Sequence, residues 1–243
     1  MIKGIIFDLG STLVQFTGDS RRVEREGAEA MAEWYLKKKH IKLDGPALVE
    51  AFLAERAVAR ASAFETQMEV TAQDTLREAL KKIEAPANAA ALVEAAIKVF
   101  FAPEEALYMA YSDAVATLKQ LKDQGYRLGL YSNATDDPLI QRMVNQNGLR
   151  PWLSPTFSSA QWGWRKPKRE PFALIVGRWN LSPAEVVVVG DTLDTDILGA
   201  QNAGIPGILV TMNESRFNAN NRHIQPTATA ETLSNLPEII SQL

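Results

Sequence analysis

Three stretches of the chain share one pattern, a short unbroken apolar run that ends on a polar residue. They are residues 3–8 (KGIIFD), 127–132 (RLGLYS) and 186–191 (VVVVGD). Continuous runs of this length, rich in Val and Ile, predict strands buried on both faces, as in a parallel sheet covered by helices. A fourth run, 207–211 (GILVT), follows the turn signal Gly204-Ile205-Pro206 and predicts another strand.

Helical periodicity fills the intervals. Residues 113–124 place Val115, Leu118 and Leu121 on one stripe and stop at Gly125, a favourable C-terminal residue. Residues 137–145, 171–179 and 195–202 read the same way, and 233–243 predicts a closing helix. Strand and helix alternate from about residue 112 onward, which argues for a doubly wound α/β fold with a parallel sheet.

Residues 17–108 break the alternation. Segments 21–39, 45–64, 71–83 and 88–101 are rich in Ala, Glu, Leu and Lys at helical spacing, with Pro46, Pro86 and Pro103 at expected starts and breaks. A separate N-terminal helical domain would leave the strand at 3–8 unpaired. The expected organisation is therefore an α/β core of residues 1–16 and 109–243, interrupted by an all-helical insertion of residues 17–108. Met31, Phe52, Phe64 and Met68 are expected in the core of that insertion.

Composition narrows the chemistry. The chain has 243 residues, 46% of them apolar, enough to bury a full core. It contains no cysteine, which excludes disulfides, thiolate nucleophiles and Cys-ligated metals. A formal charge of −3 without a dense Lys/Arg block points away from nucleic acid. No apolar stretch approaches the roughly 20 residues of a membrane span, and the N-terminal run is too short for a signal-peptide core, so a cytoplasmic protein is expected. Two distant histidines, His40 and His223, leave little material for a His-based site.

The strand ends carry the candidate chemistry. In open α/β sheets, ligands sit beyond the carboxyl ends of the strands, near the point where strand order reverses. Asp8, Ser132-Asn133 and Asp191 are delivered to that edge, and Lys166 lies in the loop Trp164-Arg165-Lys166-Pro167. Two carboxylates, a hydroxyl and an ammonium make a set for phosphoryl transfer with a hard divalent ion. Each has a plainer reading: Asp8 as a turn residue, Ser132-Asn133 as helix-capping chemistry, and Lys166 as one of the solvated cations Arg165, Lys168 and Arg169.

In order, the segments Phe7-Asp8-x-Gly10-x-Thr12-Leu13, strand-Ser132-Asn133, Lys166-Pro167 and Gly190-Asp191-Thr192-x-x-Thr195-Asp196 resemble the four motifs of the haloacid dehalogenase-like (HAD) hydrolase superfamily. The helical insertion lies where that superfamily carries its helical cap. The resemblance implies a Rossmann-like hydrolase in which Asp8 is the nucleophile, Thr12 bonds beside it, and Ser132, Asn133 and Lys166 hold phosphate. It implies Mg²⁺ on Asp8, Asp191 and the Gly10 carbonyl, with Asp196 in an outer, orienting position; Asp194 is read as surface. It also implies a small phosphorylated metabolite as substrate.

One position departs from the pattern. Most phosphatases of the superfamily carry a second Asp two residues after the nucleophile, as acid and base for the leaving oxygen and the attacking water; here it is Gly10. Three readings follow: a Mg²⁺-dependent phosphatase that manages without that acid, a binding or regulatory relative, or a metal-independent 2-haloacid dehalogenase.

Overall fold

The computed structural model describes residues 1–38, 41–85, 90–213 and 216–243. His40, Pro86 and the first two residues of the segment 88–101 lie outside them. The chain divides into two compact units, Met1–Phe16 with Met109–Leu243, and Thr17–Tyr108.

The first unit is built on a six-stranded sheet in the order β5-β4-β1-β6-β7-β8. The strands are β1 (Gly4–Phe7), β4 (Arg127–Ser132), β5 (Thr156–Ser158), β6 (Val186–Gly190), β7 (Gly207–Val210) and β8 (Ala228–Ala230). Every pairing is parallel. From β1 the chain fills one side of the sheet with β4 and β5, then crosses to the other with β6, β7 and β8, so the order reverses at β1. The register aligns Phe7 with Leu130 on one neighbour and with Val189 on the other. Asp8, Ser132 and Asp191 thus emerge from three adjacent strands at one edge. A short ribbon pairs β2 (Val14–Phe16) with β3 (Tyr108–Ala110).

The apolar runs are as buried as their composition requires: all residues of β1, β6 and β7 are buried. The helices of this unit are α5 (Ala114–Asp123), α6 (Asp137–Gln146), α7 (Ser159–Trp162), α8 (Glu170–Trp179), α9 (Leu198–Asn202) and α10 (Leu236–Ser241). On α5, Ala114, Thr117, Leu118 and Leu121 are buried while Val115 is exposed, so the inward stripe is offset from the expected one. Trp179 anchors α8 to the sheet. Cβ atoms built at Gly4 and Gly129, on neighbouring strands, would lie 2.8 Å from its indole.

The second unit contains α1 (Ser20–Leu36), α2 (Gly45–Thr66), α3 (Ala72–Lys82) and α4 (Ala90–Glu105). Asp19, Asp44 and Thr71 cap α1, α2 and α3 through side-chain oxygens that accept from backbone N–H groups three residues on. Met31 and Phe52 are fully buried, but Phe64 and Met68 are 80% and 40% exposed and do not belong to its core. The reason is that α2 buries Leu48, Val49 and Phe52 early and only Ala63 near its end. Pro103 lies inside α4, near its end, and does not stop the helix as its composition suggested. Glu24 is paired with Arg56 and Arg60, and Arg25 with Glu50, so these charges engage one another within the unit.

Candidate active site

After β1 the chain turns at once. The Leu9 carbonyl accepts from the N–H groups of Leu13 (2.8 Å) and Val14 (3.0 Å), and Ser11 takes a left-handed conformation, φ 59°. This turn buries Thr12 completely and holds Asp8, 8% exposed, at the strand end. Gly10 has no left-handed φ, and a Cβ placed on it meets nothing within 4 Å. Its lack of a side chain is therefore not imposed by the turn.

Lys166 comes to Asp8 from a sequence separation of 158 residues. Its Nζ lies 2.5 Å from Asp8 Oδ1 and 2.6 Å from Asp196 Oδ1, and the side chain is almost wholly buried. The solvated-loop reading of Lys166 is thereby set aside. Burial opposes its charge, but Asp196 and Asp8 together outweigh that cost and hold its ammonium above the ordinary Lys pKa.

Asn133 positions this lysine through the main chain. Its Oδ1 accepts from the Lys166 N–H (2.9 Å) and its Nδ2 donates to the Lys166 carbonyl (3.0 Å). The carboxamide is thus committed to the lysine loop. Ser132, 6% exposed, ends β4 beside the strand that delivers Asp8. The N-cap of α6 is Asp136, whose carboxylate accepts from Leu139 N–H at 2.9 Å; Ser132-Asn133 do not cap it.

The loop after β6 supplies the other two acids. Its first helical turn is wide, a π-type turn over Leu193–Ile197, and it brings Asp196 back to the strand end. Asp196 Oδ2 accepts from Thr192 N–H at 3.1 Å while Oδ1 faces Lys166, so both its oxygens are engaged. Asp191 accepts from the hydroxyls of Thr192 (3.1 Å) and, at the limit of bonding, Thr12 (3.5 Å). Asn218, which no motif in the sequence singles out, donates from Nδ2 to the Asp191 carbonyl (2.9 Å) and accepts at Oδ1 from Leu193 N–H (2.8 Å). Asp194 is only partly buried and lies outside the carboxylate cluster.

One oxygen each from Asp8, Asp191 and Asp196 lies within 4.8 Å of the others. Three buried carboxylates face the single ammonium of Lys166. Burial and then the charges of Asp8 and Asp196 push the Asp191 carboxyl well above its usual range. Burial also raises Asp196, with Asp8 adding to it and Lys166 opposing. This excess of negative charge at a dry strand edge suits a hard dication held by oxygen ligands. Asp8, Asp191 and the Gly10 carbonyl would hold it. Asp196, with Oδ2 hydrogen-bonded to Thr192 N–H and Oδ1 ion-paired with Lys166, would orient rather than ligate.

The fold agrees with the comparisons. Residues 2–204 match the haloacid dehalogenase-like hydrolase family, and the chain belongs to it. Glyceraldehyde 3-phosphate phosphatase of Methanothermobacter thermautotrophicus is 31% identical over 139 residues, 56% of this chain but only 60% of that protein's length. The protein of the same name from Methanocaldococcus jannaschii is 23% identical over 243 residues, 100% of this chain and 99% of its own. Among solved structures, 2-haloacid dehalogenase from Pseudomonas syringae superposes with a TM-score of 0.74 and 25% identity, covering 100% and 99% of the two chains. The protein is a HAD-like hydrolase with a Rossmann-like core. No helix of the described residues is long and apolar enough to cross a membrane.

Proposed function

We propose that the protein is a Mg²⁺-dependent phosphatase that hydrolyses a small phosphorylated metabolite through an aspartyl-phosphate on Asp8. The observation that supports this most directly is Lys166, buried and bridging Asp8 and Asp196 beside a third carboxylate, Asp191. Three carboxylates facing one ammonium leave net negative charge that a dication would neutralise as a phosphoryl group enters. Relatives named glyceraldehyde 3-phosphate phosphatase support the same reading.

In this reading Asp8 Oδ1 stays on Lys166 and Oδ2, which accepts no hydrogen bond among the described residues, attacks phosphorus. The P–O bond to the leaving group breaks, and its electron pair departs with the leaving oxygen. Water then hydrolyses the acyl phosphate, returning the Asp8 carboxylate and inorganic phosphate. Ser132 and Lys166 hold the phosphoryl oxygens, while Thr12 and Asn133 keep Asp191 and Lys166 in place. The metal, when bound, supplies Lewis-acid neutralisation of the phosphate charge. With Gly10 the usual acid for the leaving oxygen is missing, so a water, a carboxylate of the helical unit or a substrate whose leaving group needs little protonation, such as an acyl phosphate or sugar 1-phosphate, takes its place. The helical unit, residues 17–108, is read as the cap that sets specificity. The reaction fits a cytoplasmic setting.

The deciding measurement is Mg²⁺-dependent release of phosphate from p-nitrophenyl phosphate and acetyl phosphate, with Asp8→Asn as the inactive control. Turnover lost in that variant and on chelation supports the proposal. Metal-independent halide release from a 2-haloacid would replace it with the dehalogenase reading, which Gly10 and the likeness to a solved dehalogenase favour. Ligand binding without turnover would leave a regulatory relative.

A further inference from the structure

The two loops that carry Lys166 and Asp191 are held by the same device. Each is gripped through its backbone by one asparagine that uses both ends of its carboxamide: Asn133 on Lys166, and Asn218 on Asp191 and Leu193. The first asparagine belongs to a motif. The second lies beyond β7, 27 residues after Asp191 and outside every motif of the sequence.

We propose that Asn218 is a positioning residue for cation binding, fixing the backbone across Asp191-Thr192-Leu193 so that the Asp191 carboxylate is aimed before the ion arrives. The proposal rests on the reading of Asp191 as a cation ligand.

Asn218 is 9% exposed, and its rigid amide bonds a carbonyl and an N–H two residues apart. A planar group that bonds both ends fixes their separation and relative orientation, and with them the dihedrals of the residue between. The Asp191 side chain has weaker restraints of its own, a 3.1 Å bond from its neighbour Thr192 and a 3.5 Å contact from Thr12. Its direction is therefore set mainly by the main chain that Asn218 holds. Without the carboxamide, a carbonyl and an N–H beside the buried Leu193 lose their partners, and the loop must move to find others. Groups that orient metal ligands in this way typically govern affinity by about 10- to 100-fold.

The test is calorimetric titration of Mg²⁺ into the metal-free wild type, Asn218→Ala and Asn218→Leu, the last chosen because Leu restores volume without restoring either bond. Both variants are expected to bind Mg²⁺ about 10- to 100-fold more weakly. In the metal-free protein, the Leu193 amide should exchange with deuterium faster while amides of β6 keep their protection. Saturating Mg²⁺ should return kcat to within a few-fold of wild type. Unchanged Mg²⁺ affinity in a folded variant overturns the proposal, as does a kcat loss that saturating Mg²⁺ does not recover. A wild type that binds no Mg²⁺ overturns the metal-dependent reading itself, and this proposal with it.

Discussion

Gly190 is a glycine because Asp196 occupies the space a side chain would need: a Cβ there would lie 2.3 Å from the Asp196 carboxyl carbon. The returning turn after β6 packs its acid directly on the strand end. Gly190→Ala should therefore push Asp196 off Lys166, lower turnover by about 10- to 100-fold and cost roughly 1–3 kcal/mol of stability. Steady-state kinetics and thermal melts check this; a variant with wild-type kcat would show that the Lys166–Asp196 pair is dispensable.

Gly10 presents the opposite case, an open position with unstrained backbone. Gly10→Asp should fold normally and place a carboxyl two residues from the nucleophile. General acid–base assistance is typically worth about 10²–10⁴-fold, and the gain should be largest where the leaving oxygen most needs a proton. The rate on alkyl phosphates is expected to rise by more than that on acetyl phosphate. Equal gains on both would contradict the leaving-group argument.

In the helical unit, Glu24 accepts from Arg56 Nε at 2.7 Å and from Arg60 at 2.5 Å. Burial works to raise its carboxyl, but the two guanidiniums win and hold it below its ordinary 4.5. Its stabilisation is then fully present above about pH 4.5 and is lost as pH falls through the lower folded value. Arg60 is half exposed while Glu24 and Arg56 are mostly buried, and discounted for solvent screening the cluster is worth about 1 kcal/mol, or some 2–4 °C in Tm. The Tm gap between wild type and Glu24→Gln should be largest near neutrality and close in acid; a gap independent of pH would count against the assignment.

Trp179 fills the recess that Gly4 and Gly129 leave on adjacent strands, and its Nε1 donates to the Ser154 carbonyl at 3.2 Å. Trp179→Ala should cost about 3–5 kcal/mol. Gly129→Val should destabilise too, by forcing the indole out. Urea unfolding measures both, and a loss under 1 kcal/mol for the Trp variant would show that the recess collapses around the cavity.

The hydrophobic pattern made β1, β4, β6 and β7 legible because a strand buried on both faces must be apolar at every position. The strands β5 (TFS) and β8 (ATA) were not, since three residues at the sheet margin carry no period to read. Pro103 and Val115 show the same limit in helices. Propensity names the residue that should end or bury, and the packing of the neighbouring turn decides whether it does.

Asp8, Ser132 and Asp191 were recognisable as a chemical set because strand ends in a parallel sheet converge, which local sequence expresses directly; Lys166, in a loop, joined them through its charge and the motif it forms with Pro167. What no stretch of sequence expresses is a contact between distant segments. The 2.5 Å approach of Lys166 to Asp8, the commitment of Asn133 to the lysine loop and the grip of Asn218 on Asp191 each join two segments in space. The chain's own order determines which groups reach the reactive edge. Only the folded packing decides which of them touch, because hydrogen bonds and ion pairs depend on distances that sequence separation does not set.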